Sequence, residues 1–357
     1  MVGSVLLERM RAEGDFEHFE PVFFSTSQAG ELGPDVGKGK KPLRDATDTK
    51  ALAEMDAIIS CQGGDYTTSV HGDLRGLGWK GYWIDAASTL RMADDSVIVL
   101  DPVNRRRIDE AIAAGQRDFI GGNCTVSLML MAIAPLFERG WVEWINAATY
   151  QAASGAGARN MRELVRQMAV LGAAPAAAEA NSGILELDRQ VTELMRGETF
   201  PQSEFGAPLA GSLIPWIDRA VDDGQTREEW KGQVETNKIL GLNPEVPVDG
   251  VCVRIGAMRS HSQALTLKLT KDVPLAELED ALRSGNEWVD FVENDKTATL
   301  ARLSPAAVSG TLRIAVGRVR KLRLGPEYLS IYTVGDQLLW GAAEPLRRTL
   351  LIVLGKL

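Results

Sequence analysis

Cysteine and histidine are both scarce here, three of each in 357 residues, and that scarcity removes whole classes of chemistry. Cys61, Cys124 and Cys252 are an odd number at unrelated spacings, and His18, His71 and His261 form no HxxxH or CxxC pair. Neither a disulfide framework nor a zinc site is expected, and no metal is assigned. Long apolar runs are missing too. No stretch reaches the roughly 18 to 20 residues of a membrane span, and the N-terminus lacks the charged, apolar and small-residue succession of a signal peptide. The chain is read as cytoplasmic. No basic block interrupts a net charge of -9, which argues against nucleic-acid and membrane partners and for a small-molecule ligand. There is no internal repeat, and the only low-complexity stretch is the Ala-rich connector "GAAPAAAEANSG".

What is present is ordinary for a chain with two cores: 45% hydrophobic and 24% charged residues. The first third alternates helical patterns with short apolar runs, "PVFFS", "AIISCQGG", "GYWIDAAS", "SVIVLDP" and "DFIGGNC". Near-continuous apolar strands suit a parallel sheet covered on both faces, so an α/β nucleotide-binding domain is expected. From about Ala148 the texture changes. Residues 157 to 197 are mostly helical; "QTREEWKGQVETNKIL" is a further helix, and "VDGVCVRIGAM", "QALTLKLT" and "AVSGTLRIAVGRVRKLRL" are β-branched runs. This half reads as an α+β domain with a largely antiparallel sheet. The tail "GDQLLWGAAEPLRRTLLIVL" reads as a closing helix that packs back on the first domain. The domains are drawn at 1–122, completed by 344–357, and at 123–343.

The sharpest chemical signal is "FIGGNCTVSLMLMAIAPLF". A strand ends at Ile120, two glycines allow a tight turn, Asn123 can cap, and Cys124 falls on the first turn of an almost wholly apolar helix. A thiol there meets unpaired backbone N–H groups and the positive end of the helix dipole, the setting a nucleophile needs. A buried structural cysteine is the competing reading. Cys61 and Cys252 read as small core hydrophobes. Of the histidines, His18 sits in an acidic surface stretch and His71 in the loop "SVHGD". His261 lies where one strand gives way to the next, near Arg254 and Arg259, and such arginines can bind a carboxylate with two parallel hydrogen bonds. Gln151 ends a strand before a Gly-rich turn, and Arg91 follows a strand end in the α/β half. Glu228 and Lys231 share a helix face, but Glu235 and Lys238 repeat the spacing, so spacing does not choose between the pairs.

Taken together, "GGNCTVSLM", "YQAASGAGARNMREL", "EEWKGQVETNKI", "VRIGAMRSHSQA" and "VGDQLLWGAAEPLRR" resemble aspartate-semialdehyde dehydrogenase of the Gram-negative bacterial type, in the expected order through nearly the whole chain. The resemblance implies a Rossmann-type doubly wound parallel sheet domain plus an α+β catalytic and dimerisation domain. It also implies a homodimer and the reversible NADP-dependent (NADPH) conversion of 4-phospho-L-aspartate to L-aspartate 4-semialdehyde and phosphate. That step leads toward lysine, diaminopimelate, methionine and threonine. By the same resemblance Cys124 is the nucleophile, His261 the general acid/base and Gln151 the residue that orients the acyl group. Arg254 binds the substrate carboxylate and Glu228 lies near its amino group, while Arg91, Lys231 and Asn123 bind phosphate. The cofactor contacts implied are Met1, Val2, Gly3, Thr26, Ser27, Gln62, Ser154, Gly155 and Gln337. Neutral Ser25, Thr26, Ser27 and Gln28 after "PVFF" independently suit a 2′-phosphate, because an NAD site carries an acid near that place.

The chain departs from the family at its start. Only the last glycine of a G-x-x-G-x-x-G turn is present, as Gly3, and the strand before it is absent, so Met1 is expected to be an internal Met of the natural protein. If the chain begins there, weak NADP binding and poor solubility are expected, with a strand-wide gap in the sheet. A further cofactor contact is expected near Ala180. Two rivals stay open: a phosphorylating aldehyde dehydrogenase of the N-acetylglutamyl-phosphate reductase type, against which Glu228 speaks, and a catalytically silent or cofactor-impaired homologue.

Overall fold

The computed structural model describes residues 1–174 and 183–357; the cofactor contact expected near Ala180 lies outside the described residues. The chain forms two compact units, one of Met1–Ser127, Asn237–Asn243 and Leu338–Leu357, the other of Leu128–Thr236 and Pro244–Gln337.

In the first unit, helix α1 (Val2–Ala12) buries Val5, Leu6 and Met10. The strands are β1 (Phe24–Ser25), β2 (Arg44–Asp45), β3 (Ala57–Ser60), β4 (Tyr82–Asp85), β5 (Ser96–Val99) and β6 (Asp118–Gly121). All pair in parallel, but in two separate sheets, β1-β2 and β3-β4-β6-β5. Helices α2 (Gly64–Gly76) and α3 (Asp101–Ala113) are the crossovers. Trp83, Ile84, Ile98, Val99, Phe119 and Ile120 are fully buried, as strands covered on both faces require. His71, expected in a loop, lies on α2, because Thr67, Val70 and Leu74 give this stretch a buried helical face despite its Gly-Asp pair. Its Nε2 is 3.0 Å from Asp118 Oδ1, which also accepts from Arg75. The C-terminal helix Glu344–Val353 belongs to this unit. Arg347 donates to Asp15 at 2.6 and 2.8 Å, Arg9 to Glu344 at 2.9 Å, and Arg348 to both oxygens of Asp101. Buried charges are tolerated there because each is paired.

The second unit is built on a seven-stranded mixed sheet whose members are β7 (Val142–Gln151), β8 (Leu213–Ile214), β9 (Val248–Ile255), β10 (Ser260–Leu269), β11 (Val289–Phe291), β12 (Ile314–Lys321) and β13 (Tyr328–Asp336). The order is β11-β12-β13-β10-β7-β9-β8. Only β7-β9 and β11-β12 are parallel, so the sheet is largely antiparallel as expected. On β10, Leu265, Leu267 and Leu269 are buried and alternate with half-buried Ala264, Thr266 and Lys268, the signature of one covered face.

Helix α4 (Cys124–Glu138) packs its later turns in this unit: a Cβ at Gly335 would lie 2.5 Å from Leu128 Cδ2, so glycine lets helix and sheet approach. Pro135 inside α4 cannot donate to the carbonyl of Met131. That carbonyl accepts instead from Asn286 Nδ2 at 2.8 Å, and Gly285 fits against the proline ring, where a Cβ would come within 2.6 Å. The longer helices that follow are α5 (Ala158–Gly172), α6 (Ile184–Arg196), α7 (Arg227–Leu240) and α8 (Leu275–Arg283). Among the described residues no helix is long and apolar enough to cross a membrane.

Candidate active site

The turn before α4 is tightly built. Asn123 Oδ1 accepts from Thr125 N at 2.9 Å, Thr125 Oγ1 at 2.6 Å and Val126 N at 3.2 Å, so it caps the helix as its sequence position foretells. A Cβ at Gly122 would stand 2.8 Å from Ser127 Oγ, which is why this position is glycine. Arg91 is buried and donates to the same turn, through Nε to Gly121 O at 2.7 Å and through Nη2 to Gly122 O at 3.1 Å. Cys124, half-buried, opens the helix on a turn fixed from both sides.

In the second unit the ends of β7 and β9 meet the start of β10. Gln151 is paired with Arg254 across the parallel strands, and Ser262 with Tyr150. The peptide of Ala152 then binds two side chains at once: its N–H donates to His261 Nδ1 at 3.0 Å, and its carbonyl accepts from Arg254 Nη1 at 2.8 Å. A main-chain N–H only donates, so Nδ1 is an acceptor and the neutral ring carries its proton on Nε2. Burial, and secondarily the Arg254 charge, pull the His261 pKa down to about 3. The imidazole is therefore neutral at physiological pH and offers Nε2–H as a donor.

Helix α7 contributes the polar wall. Thr226 and Glu229 form a reciprocal capping box: the Thr226 N–H donates to Glu229 Oε2 at 2.7 Å and the Glu229 N–H to Thr226 Oγ1 at 3.4 Å. Glu229 Oε1 also accepts from Cys252 N at 3.1 Å, so Glu229 has a structural task. Glu228 is buried and accepts from Gln151 Nε2 at 3.3 Å and Lys231 Nζ at 3.0 Å. Gln151 Nε2 also donates to Thr149 Oγ1 at 3.1 Å, which fixes the amide. Lys231 reaches a second carboxylate, Asp218 Oδ2, at 2.9 Å. The alternative pair is engaged elsewhere: Glu235 is buried, and Lys238 Nζ donates to Ala93 O at 2.6 Å and Ser96 Oγ at 3.3 Å in the first unit. Arg259 pairs with buried Asp336 at 2.6 Å.

Ser154 Oγ is 2.7 Å from Gln337 Oε1 and 3.1 Å from Arg259 O, donating to this pair of acceptors. Gly155 is exposed, yet a Cβ there would lie 2.8 Å from Arg254 Nη1 and 3.3 Å from the His261 ring. Its φ is not in the left-handed region. Gly155→Ala therefore leaves the fold intact and displaces the guanidinium or the imidazole, and we expect a roughly tenfold or larger loss in kcat/KM with an unchanged melting temperature. Steady-state kinetics beside a thermal melt check this, and a kinetically silent variant would refute the crowding argument.

The chain matches two family models, "Semialdehyde dehydrogenase, NAD binding domain" over residues 1–111 and "Semialdehyde dehydrogenase, dimerisation domain" over residues 133–340. It is similar to the solved aspartate-semialdehyde dehydrogenase of Francisella tularensis at 48% identity over 99% of this chain and 96% of that one, with a TM-score of 0.94. The chain belongs to the aspartate-semialdehyde dehydrogenase family. Two more distant structures share the fold. Aspartate-semialdehyde dehydrogenase II of Vibrio cholerae, solved with ASA, is 23% identical with a TM-score of 0.79, covering 99% of this chain and 95% of that one. The Candida albicans enzyme, solved with NADP, is 16% identical with a TM-score of 0.66, covering 100% and 96%.

As a member of the aspartate-semialdehyde dehydrogenase family the chain carries its residues of interest in two groups. Gln151, Ser154, Gly155, Glu228, Lys231, Arg254, His261 and Gln337 lie in the second unit; Met1, Val2, Gly3, Thr26, Ser27, Gln62, Arg91, Asn123 and Cys124 lie in the first. Among the latter, Thr26, Ser27 and Gln62 are exposed, and Gly3 sits where an added Cβ would meet Cys61 Cβ at 3.6 Å. Burial, followed by Asp85, pushes the Cys61 thiol up to about 12, which marks it as inert. Sequence reading missed two contributors. The Ala152 peptide has no side-chain signature, and Asp218 is one acid among several in "WIDRAVDDG".

Proposed function

We propose that this chain catalyses the reversible, NADP-dependent reductive dephosphorylation of 4-phospho-L-aspartate to L-aspartate 4-semialdehyde and phosphate, working as a homodimer. The observation that carries the reading is the buried cluster in which one peptide holds His261 and Arg254 while Gln151 leads to Glu228 and Lys231. An acyl phosphate bearing a carboxylate and an ammonium group finds a complement for each part there: Arg254, Glu228 and Lys231 respectively.

In this mechanism the Cys124 thiolate forms a bond to the acyl carbon as the carbon–oxygen bond to phosphate breaks, leaving a thioester. The positive end of the α4 dipole stabilises the oxyanion, the Thr125 and Val126 N–H groups being held by Asn123 Oδ1, and Arg91, Asn123 and Lys231 receive the phosphate. NADPH, when bound, supplies the hydride that takes the acyl carbon to the aldehyde level. His261 Nε2–H hydrogen-bonds to the acyl oxygen and stabilises the negative charge that oxygen carries after hydride addition; when the carbon–oxygen double bond reforms, the carbon–sulfur bond breaks and the thiolate leaves, with the proton still on Nε2.

Residues of the first unit fit such a cofactor. Ser25 Oγ accepts from Ser27 N at 3.3 Å and Gln28 N at 3.1 Å, a turn that leaves Thr26 and Ser27 exposed with no carboxylate among residues 25–28. Hydroxyl and amide donors there accept a 2′-phosphate that a carboxylate would repel. Met1, Val2 and Gly3, at the N-terminal end of α1, offer N–H groups for the pyrophosphate. The dimer contact is assigned to the open face of the seven-stranded sheet, where Trp144 packs on Tyr328 and Tyr150 on Tyr332 around half-buried Thr266.

Phosphate-dependent NADP reduction with aspartate semialdehyde tests the proposal. Turnover that requires all three components is expected, with little from N-acetylglutamate semialdehyde. Binding without turnover would make the chain a silent homologue instead.

A further inference from the structure

Lys231 is shared by two carboxylates, and they differ in freedom. Glu228, 7% exposed in its side chain, is fixed under Gln151, while Asp218 is 31% exposed. The backbone around Asp218 is held firmly. Arg227 N–H donates to Arg219 O at 2.8 Å, Val221 N–H to Gln225 O at 2.9 Å, and Trp216 Nε1 to Asp218 O at 2.9 Å. Within that frame Asp218 has φ of 71°, a left-handed conformation seldom taken by a residue with a Cβ, and its Oδ1 accepts from Arg219 N at 2.8 Å. The loop thus spends conformational strain to aim a carboxylate at an already neutralised ammonium. Rotation about χ1 would carry that carboxylate into water with no change in backbone, exchanging its bonds to Lys231 and Arg219 N for bonds to water.

We propose that Asp218 is an internal competitor for the Lys231 ammonium: its carboxylate occupies the place on Lys231 that a phosphate oxygen must take, so it sets how tightly the site holds phosphate. This rests on the reading of Lys231 as a phosphate-binding residue. The electrostatics favour exchange in this order. A substrate ammonium satisfies Glu228, which stays; Lys231 has a third N–H donor for a phosphate oxygen, but a phosphate dianion drawn to it is repelled by the Asp218 carboxylate, so Asp218 swings out. After the chemistry it returns and helps expel phosphate. Asp218 is a specificity- and affinity-determining residue here, not a catalytic one.

Asp218→Asn is the sharpest variant, because Asn keeps the left-handed backbone and the Oδ1 acceptor for Arg219 and removes only the charge. Asp218→Gly is a second neutral variant at no backbone cost. Inorganic phosphate binding to the full chain, followed by 31P NMR line broadening, and the KM for phosphate in aspartate semialdehyde oxidation should both tighten by roughly three- to tenfold in each variant. The same substitution in a Lys231→Met background should have no effect, because direct competition requires the ammonium. Unchanged or weaker phosphate binding by folded Asp218→Asn would overturn the proposal. So would an equal gain in the Lys231→Met background, which would mean a diffuse field effect, or a rise confined to the KM for aspartate semialdehyde, which would make Asp218 an ammonium ligand. If Lys231→Met alone leaves phosphate binding unchanged, the phosphate reading of Lys231 fails independently of the Asp218 result.

Discussion

A Cys124→Ala chain loses phosphate-dependent NADP reduction by roughly 10⁴-fold or more, and melts as the parent does. The size follows from the role: without the sulfur there is no covalent acyl carrier, and removing a nucleophile from a catalytic set costs as much as removing the set. The intact melt follows from the structure. The cap of α4 is Asn123, whose Oδ1 holds Thr125 and Val126, and alanine at a first-turn position is a good helix former. Cys61→Ala and Cys252→Ala serve as controls, one thiol pushed up to about 12 and the other buried on β9. Substantial activity in purified Cys124→Ala, or comparable losses in both controls, would end the assignment of Cys124.

His261→Asn has two separable signatures. Turnover falls by roughly 10²- to 10⁴-fold, the range expected for loss of a positioned proton donor. Stability changes its pH dependence as well. The folded ring has its pKa lowered from 6.5 to about 3, so between those values the unfolded chain binds a proton that the folded chain refuses. Stability is full above 6.5 and falls as pH drops toward 3, by about 1.4 kcal/mol per pH unit. The asparagine variant lacks this proton. Between pH 7 and pH 5 it should lose about 2 kcal/mol less than the parent, the carboxylates contributing equally to both chains. Parallel stability curves, measured by denaturant unfolding at the two pH values, would mean that His261 is not the buried neutral donor described above.

Much of this was legible in the sequence because local pattern and tertiary role coincide. The glycines before Asn123 and the apolar run after Cys124 dictate a strand, a turn and a buried helix, and those elements are present. The parallel and mixed sheets follow from continuous apolar runs in one half and alternation in the other. Where periodicity is degenerate, sequence is silent. Glu228–Lys231 and Glu235–Lys238 lie seven residues apart on one helix face, so they differ only in depth, about 10 Å along the axis. That depth decides whether the lysine meets Asp218 or Ala93. The T-x-x-E pattern of Thr226 and Glu229 did carry a signal, since a capping box commits Glu229 to the helix start. For Arg91 the residue type suits an anion, while its donation through Nε to the carbonyl of Gly121 left no mark in the sequence.

The proline in α4 has a consequence for how the protein is made. The carbonyl orphaned by Pro135 is satisfied by a side chain 155 residues further along, so a nascent chain that has delivered Cys124 still holds an unfinished helix. Until Gly285 and Asn286 emerge, that apolar segment keeps a bare carbonyl and no ring partner. At a synthesis rate of about 5 to 20 residues per second the interval lasts on the order of ten seconds or more. For that time the apolar helix that begins at Cys124 is complete in sequence and short of one hydrogen-bond partner, which only the Gly285–Asn286 turn supplies.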